Sequence, residues 1–261
     1  NHKSYMYSCI KYYFKKKKFK LIFLFHKFFN NSIQPLKGFY NILMTPSYND
    51  KTFEYCFKGT YGTFLSNWLK NIKNETIFLD IGANQGLYSV LAGKNPFVKK
   101  VYCFEPNDEI LPLLKKNLKL NQILSYKIIP AAISNKNGKF PLRIFDGHSG
   151  RSTLQIINDD KKKVKVKKIE TINYIELNKL IPNKPLNGIK IDVEGYEEIV
   201  INELIRCDFF KQTQWIFCEI DEQWVNPNKL YDILNNEGFT NFKRIGKHPT
   251  HFDIMFFRSR I

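Results

Sequence analysis

From residue 76 onward, short apolar runs rich in β-branched and aromatic residues alternate with stretches of helical length. This is the pattern of a mainly parallel sheet with crossover helices, an α/β fold. The runs predict strands at residues 76–80, 101–105, 126–132, 188–192, 214–219, 240–245 and 251–257. Asn107-Asp108-Glu109 predicts a helix start with a cap and first-turn acids, and Asn226-Pro227 predicts another with proline at the first helical position. Between the third and fourth strands lies an excursion over residues 133–180. In it residues 138–145, 153–157 and the alternating Val164-Lys165-Val166 predict antiparallel strands, with a lysine-rich turn at 159–163.

The first 50 residues depart from this regularity. They are rich in Lys, Tyr and Phe, and Lys15-Lys16-Lys17-Lys18 leads into an apolar run at 19–25. A bilayer crossing needs about 20 apolar residues, and this run is short and broken by Lys20, His26 and Lys27. The chain therefore divides into a basic aromatic N-terminal extension, 1–50, and a domain at 51–261. The extension is expected to be a helix that covers the domain with its lysines in water. Peripheral contact with an anionic membrane through residues 11–29 is the competing use. No small-residue cleavage site follows the apolar run, which argues against a secretory signal, and a first residue of Asn1 suggests a piece of a longer product.

Hydrophobic residues make up 43% of the 261 and aromatics 15%, enough to bury a core without cross-links. The five cysteines are odd in number and form no C-x-x-C, so neither a disulfide framework nor a zinc site is indicated, and a reducing, cytoplasmic setting is expected. A net charge of +17 raises nucleic acid or an anionic membrane as partner. Only six of the 41 basic residues are Arg, the usual reader of base edges and phosphates, so the charge does not by itself select nucleic acid.

Three segments carry candidate chemistry. In Phe78-Leu79-Asp80-Ile81-Gly82-Ala83-Asn84-Gln85-Gly86, an apolar strand ends in an acid and turns through two glycines into a helix start, as in nucleotide-binding loops. The spacing is neither G-x-G-x-x-G nor a P-loop, which disfavours phosphate. About 20 residues on, Val101-Tyr102-Cys103-Phe104-Glu105-Pro106-Asn107 closes a strand on a carboxylate that could accept the hydroxyls of a ribose. Gly188-Ile189-Lys190-Ile191-Asp192-Val193-Glu194-Gly195-Tyr196-Glu197 then emits two carboxylates toward a helix, and Glu219 ends the next strand. Ligands in open parallel sheets sit outside the carboxyl ends of the strands, so Asp80, Glu105, Asp192 and Glu219 are expected on one rim. Glu197 and Glu198 read instead as first-turn acids of a helix.

The sequence resembles the FkbM family of S-adenosylmethionine-dependent methyltransferases through residues 79–86, Phe104-Glu105-Pro106, Ala131-Ala132-Ile133-Ser134 and residues 189–197, a likeness spanning roughly 52–257. The resemblance implies a Rossmann-like class I methyltransferase fold with a seven-stranded, mostly parallel sheet whose last strand is antiparallel, to which the excursion at 133–180 adds a β-hairpin insertion between strands 3 and 4. It implies S-adenosylmethionine as cofactor and O-methylation of a hydroxyl on a sugar, glycan or related small metabolite. By that likeness Asp80, Gly82 and Asn84 line the methionine end, Glu105 holds the ribose and Ala131-Ala132 lie near adenine; Gly86 and Asn107 complete the candidate cofactor set.

A neutral alcohol is a poor nucleophile, so an acid is expected to take or orient its proton. Asp192 is the candidate base, with Glu194 and Glu219 as neighbours that orient the acceptor or tune its pKa. The same carboxylates could hold a divalent ion that lowers the hydroxyl pKa, an alternative the sequence leaves open. His148, in a polar loop, and His251, at the start of the last strand, are further candidates, the first expected to be solvated and the second structural. Two other readings stand beside the first: an RNA ribose 2′-O-methyltransferase, which would use the basic surface, and a non-catalytic cofactor-fold scaffold docking a membrane. The identity of the acceptor and the oligomeric state are not written in these motifs.

Overall fold

The predicted apolar runs assemble into one seven-stranded sheet. In the computed structural model, which describes residues 2–30, 33–156, 164–184 and 187–259, the chain opens with α1 (His2–Phe25), a π-helical turn (His26–Asn30) and a short hairpin of β1 (Leu36–Lys37) and β2 (Leu43–Met44). There follow α2 (Lys51–Lys58), α3 (Phe64–Lys70), β3 (Thr76–Ile81), α4 (Leu87–Gly93), β4 (Val98–Phe104), α5 (Leu111–Leu120), β5 (Tyr126–Ile129), β6 (Ala132–Ile133), β7 (Gly138–Phe145) and β8 (Val164–Ile172). The remainder is α6 (Tyr174–Leu180), β9 (Asn187–Ile191), α7 (Glu197–Ile205), β10 (Thr213–Asp221), α8 (Pro227–Asn236), β11 (Asn241–Ile245) and β12 (His251–Phe257).

The sheet order is β11-β12-β10-β9-β3-β4-β5. The five strands from β10 to β5 run parallel, and β12 lies antiparallel to both β10 and β11. From the central β3 the chain first builds outward to β5 and then returns to β9 on the other side. The switch in direction therefore falls between β3 and β9, where such sheets hold their ligands. All six residues of β3 are buried because both faces of the sheet are covered: Ile77, Leu79 and Ile81 pack into one apolar layer and Phe78 into the other.

The excursion forms a separate three-stranded sheet of order β6-β8-β7, whose β7–β8 hairpin matches the predicted insertion. The strand predicted at 153–157 does not form. Thr153 makes only an isolated bridge to Arg143, and Ser149–Arg151 is a 3-10 turn. The polar groups of this segment are used elsewhere: Thr153 Oγ1 donates to the Glu194 carbonyl at 2.6 Å and Gln155 Nε2 to that of Gly195 at 2.5 Å. Residue 157 and the turn expected at 159–163 lie outside the described residues.

The helix expected to open at Asn107 begins later, at Leu111. The Asn107 side chain accepts from Glu109 N at 3.1 Å and so closes a turn of its own, with Pro112 near the helix start behind it. Asn226 caps α8 as expected, accepting from Asn228 N with Pro227 at the first position. At the N-terminus, Tyr12, Phe19 and Phe23 of α1 pack on Phe39 and on Phe53 and Phe57 of α2. Phe39, Tyr40, Ile42 and Met44 are buried in that same layer, so the apolar core runs across residue 50. No helix among the described residues is long and apolar enough to cross a membrane.

Candidate functional site

A cavity of about 630 Å³ opens at the carboxyl ends of the parallel strands, within the range of about 300–1,000 Å³ usual for small-molecule and cofactor sites. Its lining includes Gly82, Asn84, Glu105, Ala131, Ala132, Asp192, Glu194 and Glu219. Eight of the eleven residues singled out from sequence thus meet in one space. Asp80, Gly86 and Asn107 do not line it: Asp80 meets Lys190, Asn107 donates to Glu105, and Gly86 faces Leu114 of α5.

The turn after β3 explains both glycines. Gly82 has φ +78°, and a Cβ there would lie 1.8 Å from the Asp192 carbonyl oxygen, because the ends of β3 and β9 cross closely. Asp192 N donates to the Ile81 carbonyl at 3.1 Å across that crossing. Gly86, at φ +87°, faces Leu114 of α5 in the same way, with Cδ1 at 2.6 Å from a Cβ position. Both glycines thus admit neighbouring protein groups, and Gly82 also borders the cavity.

Glu105 is the most thoroughly bonded acid of the site. Its Oε2 accepts from Asn84 N and its Oε1 from Asn107 N, each at 2.8 Å, and each oxygen retains capacity for a further donor. Burial pushes its pKa up to about 7, against the lowering effect of those two N–H groups. Asn107 therefore supports Glu105 from behind, while its own side chain closes the following turn.

Asp80 is fully buried; Ser89 Oγ donates to its Oδ2 at 2.6 Å, and Lys190 Nζ lies 3.5 Å from Oδ1. Lys190 also pairs with Asp192 at 3.2 Å and donates to the Gly82 carbonyl at 2.7 Å. One buried ammonium thus ties the first acid of the rim to the third. Burial lowers the Lys190 pKa, but the carboxylates of Asp192 and Asp80 more than offset this and leave it raised.

At the other end the acids crowd. Oxygen atoms of Asp192, Glu194 and Glu219 lie within 4.8 Å of one another. The register of β10 and β12 sets Glu219 directly opposite Asp253 and Asp221 opposite His251. His251 Nε2 hydrogen-bonds Glu219 Oε1 at 3.0 Å, so this histidine, expected to be structural, belongs to the acid cluster. Burial and then the surrounding carboxylates hold Glu194 and Glu219 well above the usual carboxylate range, and raise Asp253 to about 7. Hydrogen bonding to Glu219 raises His251 in turn.

Glu194 sits at φ +53°, in the left-handed region that non-glycine residues rarely adopt. Two groups hold the bend. Thr153 fixes its carbonyl, and Glu197 Oε1 accepts from Val193 N at 3.1 Å and Gly195 N at 3.2 Å. Glu197, expected to serve only the helix dipole, is buried and shapes this loop. Glu198 does stand on the outer surface of α7 and pairs with Lys229.

The loop before the insertion closes one side of the cavity. His148, expected to be solvated, is half-buried, packs edge-on to Tyr55 and lines the cavity, and burial lowers its pKa. Ser149 is clasped by Asp50, which accepts from its Oγ at 2.6 Å and its N at 3.1 Å while also accepting from Gln85 Nε2 at 2.8 Å. Asp50, Ser149, Lys190 and Asp253 are the contributors that sequence reasoning passed over.

A sheet of this order, with its cavity at the switch between β3 and β9, defines the class I methyltransferase fold. Residues 80–240 match the model of the Methyltransferase FkbM domain, and the chain belongs to that family. Methyltransferase sdnD of Sordaria araneosa is 33% identical over 87 residues, 33% of this chain and 34% of that protein, so the chain spans about a third of the length of the relative it matches. Among solved structures, an rRNA methylase from Streptococcus thermophilus overlaps with a TM-score of 0.45 at 10% identity, over 75% of this chain and 94% of that one. M. capricolum TrmK in complex with S-adenosyl-homocysteine overlaps with a TM-score of 0.44 at 11% identity, over 76% and 69%.

Proposed function

We propose that the protein is an S-adenosylmethionine-dependent O-methyltransferase that modifies a hydroxyl of a sugar, glycan or related small metabolite. The observation that carries this reading is the placement of Asp192 on the cavity wall, paired with the buried Lys190 ammonium and with oxygens of Glu194 and Glu219 within 4.8 Å. When bound, the cofactor supplies an electrophilic methyl group on a sulfonium.

The residues present fit such a group. Glu105 offers a fixed, buried carboxylate with acceptor capacity to spare, suited to the two hydroxyls of a ribose. Ala131 and Ala132, with Pro106 and Leu142, give the neighbouring wall an apolar surface for a base. Gly82 and Asn84 would hold the methionine end, with Asp80 fixing Lys190 and, through it, the Gly82 carbonyl. Asp192 takes the proton from the acceptor hydroxyl, while Glu194 donates a hydrogen bond to the acceptor and Glu219, paired with His251, orients it. Alignment of the acceptor oxygen with the reacting carbon supplies much of the barrier reduction. Lys190 beside Asp192 and His251 beside Glu219 already occupy cationic positions around the triad, so we assign it acid–base work and no metal.

The lining also favours an uncharged acceptor over RNA, whose phosphates would face the acids Asp192 and Asp221. Calorimetric titration with S-adenosylmethionine or S-adenosylhomocysteine, followed by methyl transfer to a panel of glycans, hydroxylated metabolites and RNA, tests the reading. Cofactor affinity is expected on the order of −7 to −8 kcal/mol. Absence of cofactor binding, or transfer to RNA alone, would overturn it.

A further inference from the structure

The N-terminal helix carries two apolar faces. One, formed by Tyr12, Phe19, Ile22 and Phe23, is packed against the core. At 100° per residue, Phe14, Leu21 and Phe25 lie on the opposite side of the same helix, with Ile10 beside them. That outer side is bare: Phe14 is 64% exposed, Leu21 69% and Phe25 57%, and the stripe continues onto Phe28 in the π-helical turn. Lys17 and Lys20 flank it on one side and Lys18 on the other, all exposed. A helix that only covered the domain would present polar residues there.

The charge around the stripe is of one sign. Residues 1–49 contain nine of the 41 basic residues and none of the 24 acidic ones. An apolar ridge rimmed by lysines, with no acid on the same segment, is complementary to one kind of partner: an anionic lipid surface, into which the ridge inserts while the ammonium groups stay among the headgroups. We infer that α1 seats the protein on an anionic membrane face through Phe14, Leu21 and Phe25. The placement bears on the cavity as well. α1 packs on one face of α2 through Phe53 and Phe57, and Thr52 and Tyr55 of α2 line the cavity, so the membrane-facing helix is separated from that wall by a single helix.

Co-sedimentation of the full chain with vesicles of phosphatidylcholine alone, or of equal parts phosphatidylcholine and phosphatidylserine, tests this without any knowledge of the acceptor. Binding to the anionic vesicles is expected to be at least about tenfold stronger and to weaken as salt is raised. The triple variant Phe14→Ser/Leu21→Ser/Phe25→Ser should lose binding roughly a hundredfold with an unchanged melting temperature, since these side chains touch water in the free protein. Lys17→Gln/Lys18→Gln/Lys20→Gln should lose a similar amount, roughly fivefold for each lysine. Failure to sediment with anionic vesicles, or binding that survives both triple variants, overturns the inference. So does a concentration-dependent dimer that the apolar variant dissolves, because the stripe is then covered by a second copy.

Discussion

The carboxyl ends of β4 and β10 deliver two glutamates to one cavity in opposite electrostatic settings. Glu105 accepts two backbone N–H groups supplied by the loops on either side of it. Glu219 faces Asp192, Glu194 and its cross-strand partner Asp253, and hydrogen-bonds His251 Nε2. Burial raises both acids, but at Glu105 the amides hold the rise to about 7, while at Glu219 the neighbouring carboxylates add to it. The first end is therefore fixed by backbone donors, whereas at the second Lys190 and His251 are outnumbered by Asp192, Glu194, Glu219 and Asp253. Such a division suits a site that must hold one molecule in a fixed pose and act on another, because perturbed acids belong where protons move.

The largest test of this contrast is Asp192→Asn. If the crowded end performs the chemistry, turnover should fall by about a thousandfold, in the range for loss of a general base, while cofactor affinity stays within a few-fold. Parallel calorimetry and methyl-transfer kinetics separate the two. Full turnover in this variant would move the base elsewhere, to His148. Next comes Lys190→Met, which touches both ends at once. It leaves Asp80 fully buried without its cation and should cost roughly 3 kcal/mol of stability, as breaking one side of a buried ion pair does. Urea denaturation reads this directly; a loss near zero would mean that the Lys190 pair does not join the two ends.

How much of the contrast could be foreseen from sequence depends on the range of the interactions. Asp80, Glu105, Asp192 and Glu219 were legible because each closes a local apolar run, and a parallel sheet sends all such closures to one edge. Lys190 was not, since in a one-dimensional pattern it is only a polar interruption of a strand. Its burial requires β3, β9 and the Gly82 turn to meet. The Glu219–Asp253 opposition depends on the register of an antiparallel pair whose strands are joined through α8 and β11. The Asp50–Ser149 clasp joins positions 99 residues apart. The strand predicted at 153–157 fails to form for the same cause, because Thr153 and Gln155 bond to the Glu194 loop rather than to their own neighbours.

On the ordered end, Glu105→Ala should weaken S-adenosylmethionine binding by about 2 kcal/mol, roughly thirtyfold, the range for hydrogen bonds to a charged group. The measurement sharpens the contrast if Asp192→Asn and Glu105→Ala prove complementary, one affecting turnover and the other affinity. An equal loss of affinity in both would mean that the cavity is a single electrostatic unit.

The smallest expected effect is on stability and depends on pH. Glu194 has its folded pKa raised far above its unfolded value, so the folded state holds a proton that the unfolded chain releases above about pH 4.5. Stability from this group is therefore fully present below that pH and drains away as pH rises toward the folded pKa. Asp253, raised to about 7, adds to the same slope. Glutamine mimics the protonated acid without needing the proton. Glu194→Gln should then match the parent near pH 4.5 and exceed it by roughly 1 kcal/mol at pH 8, after allowing for solvent at the cavity mouth. Thermal denaturation at the two pH values decides the sign. A variant less stable at pH 8 would show that Glu194 is charged and compensated there, and the acceptor end would then be as well satisfied as the end built around Glu105.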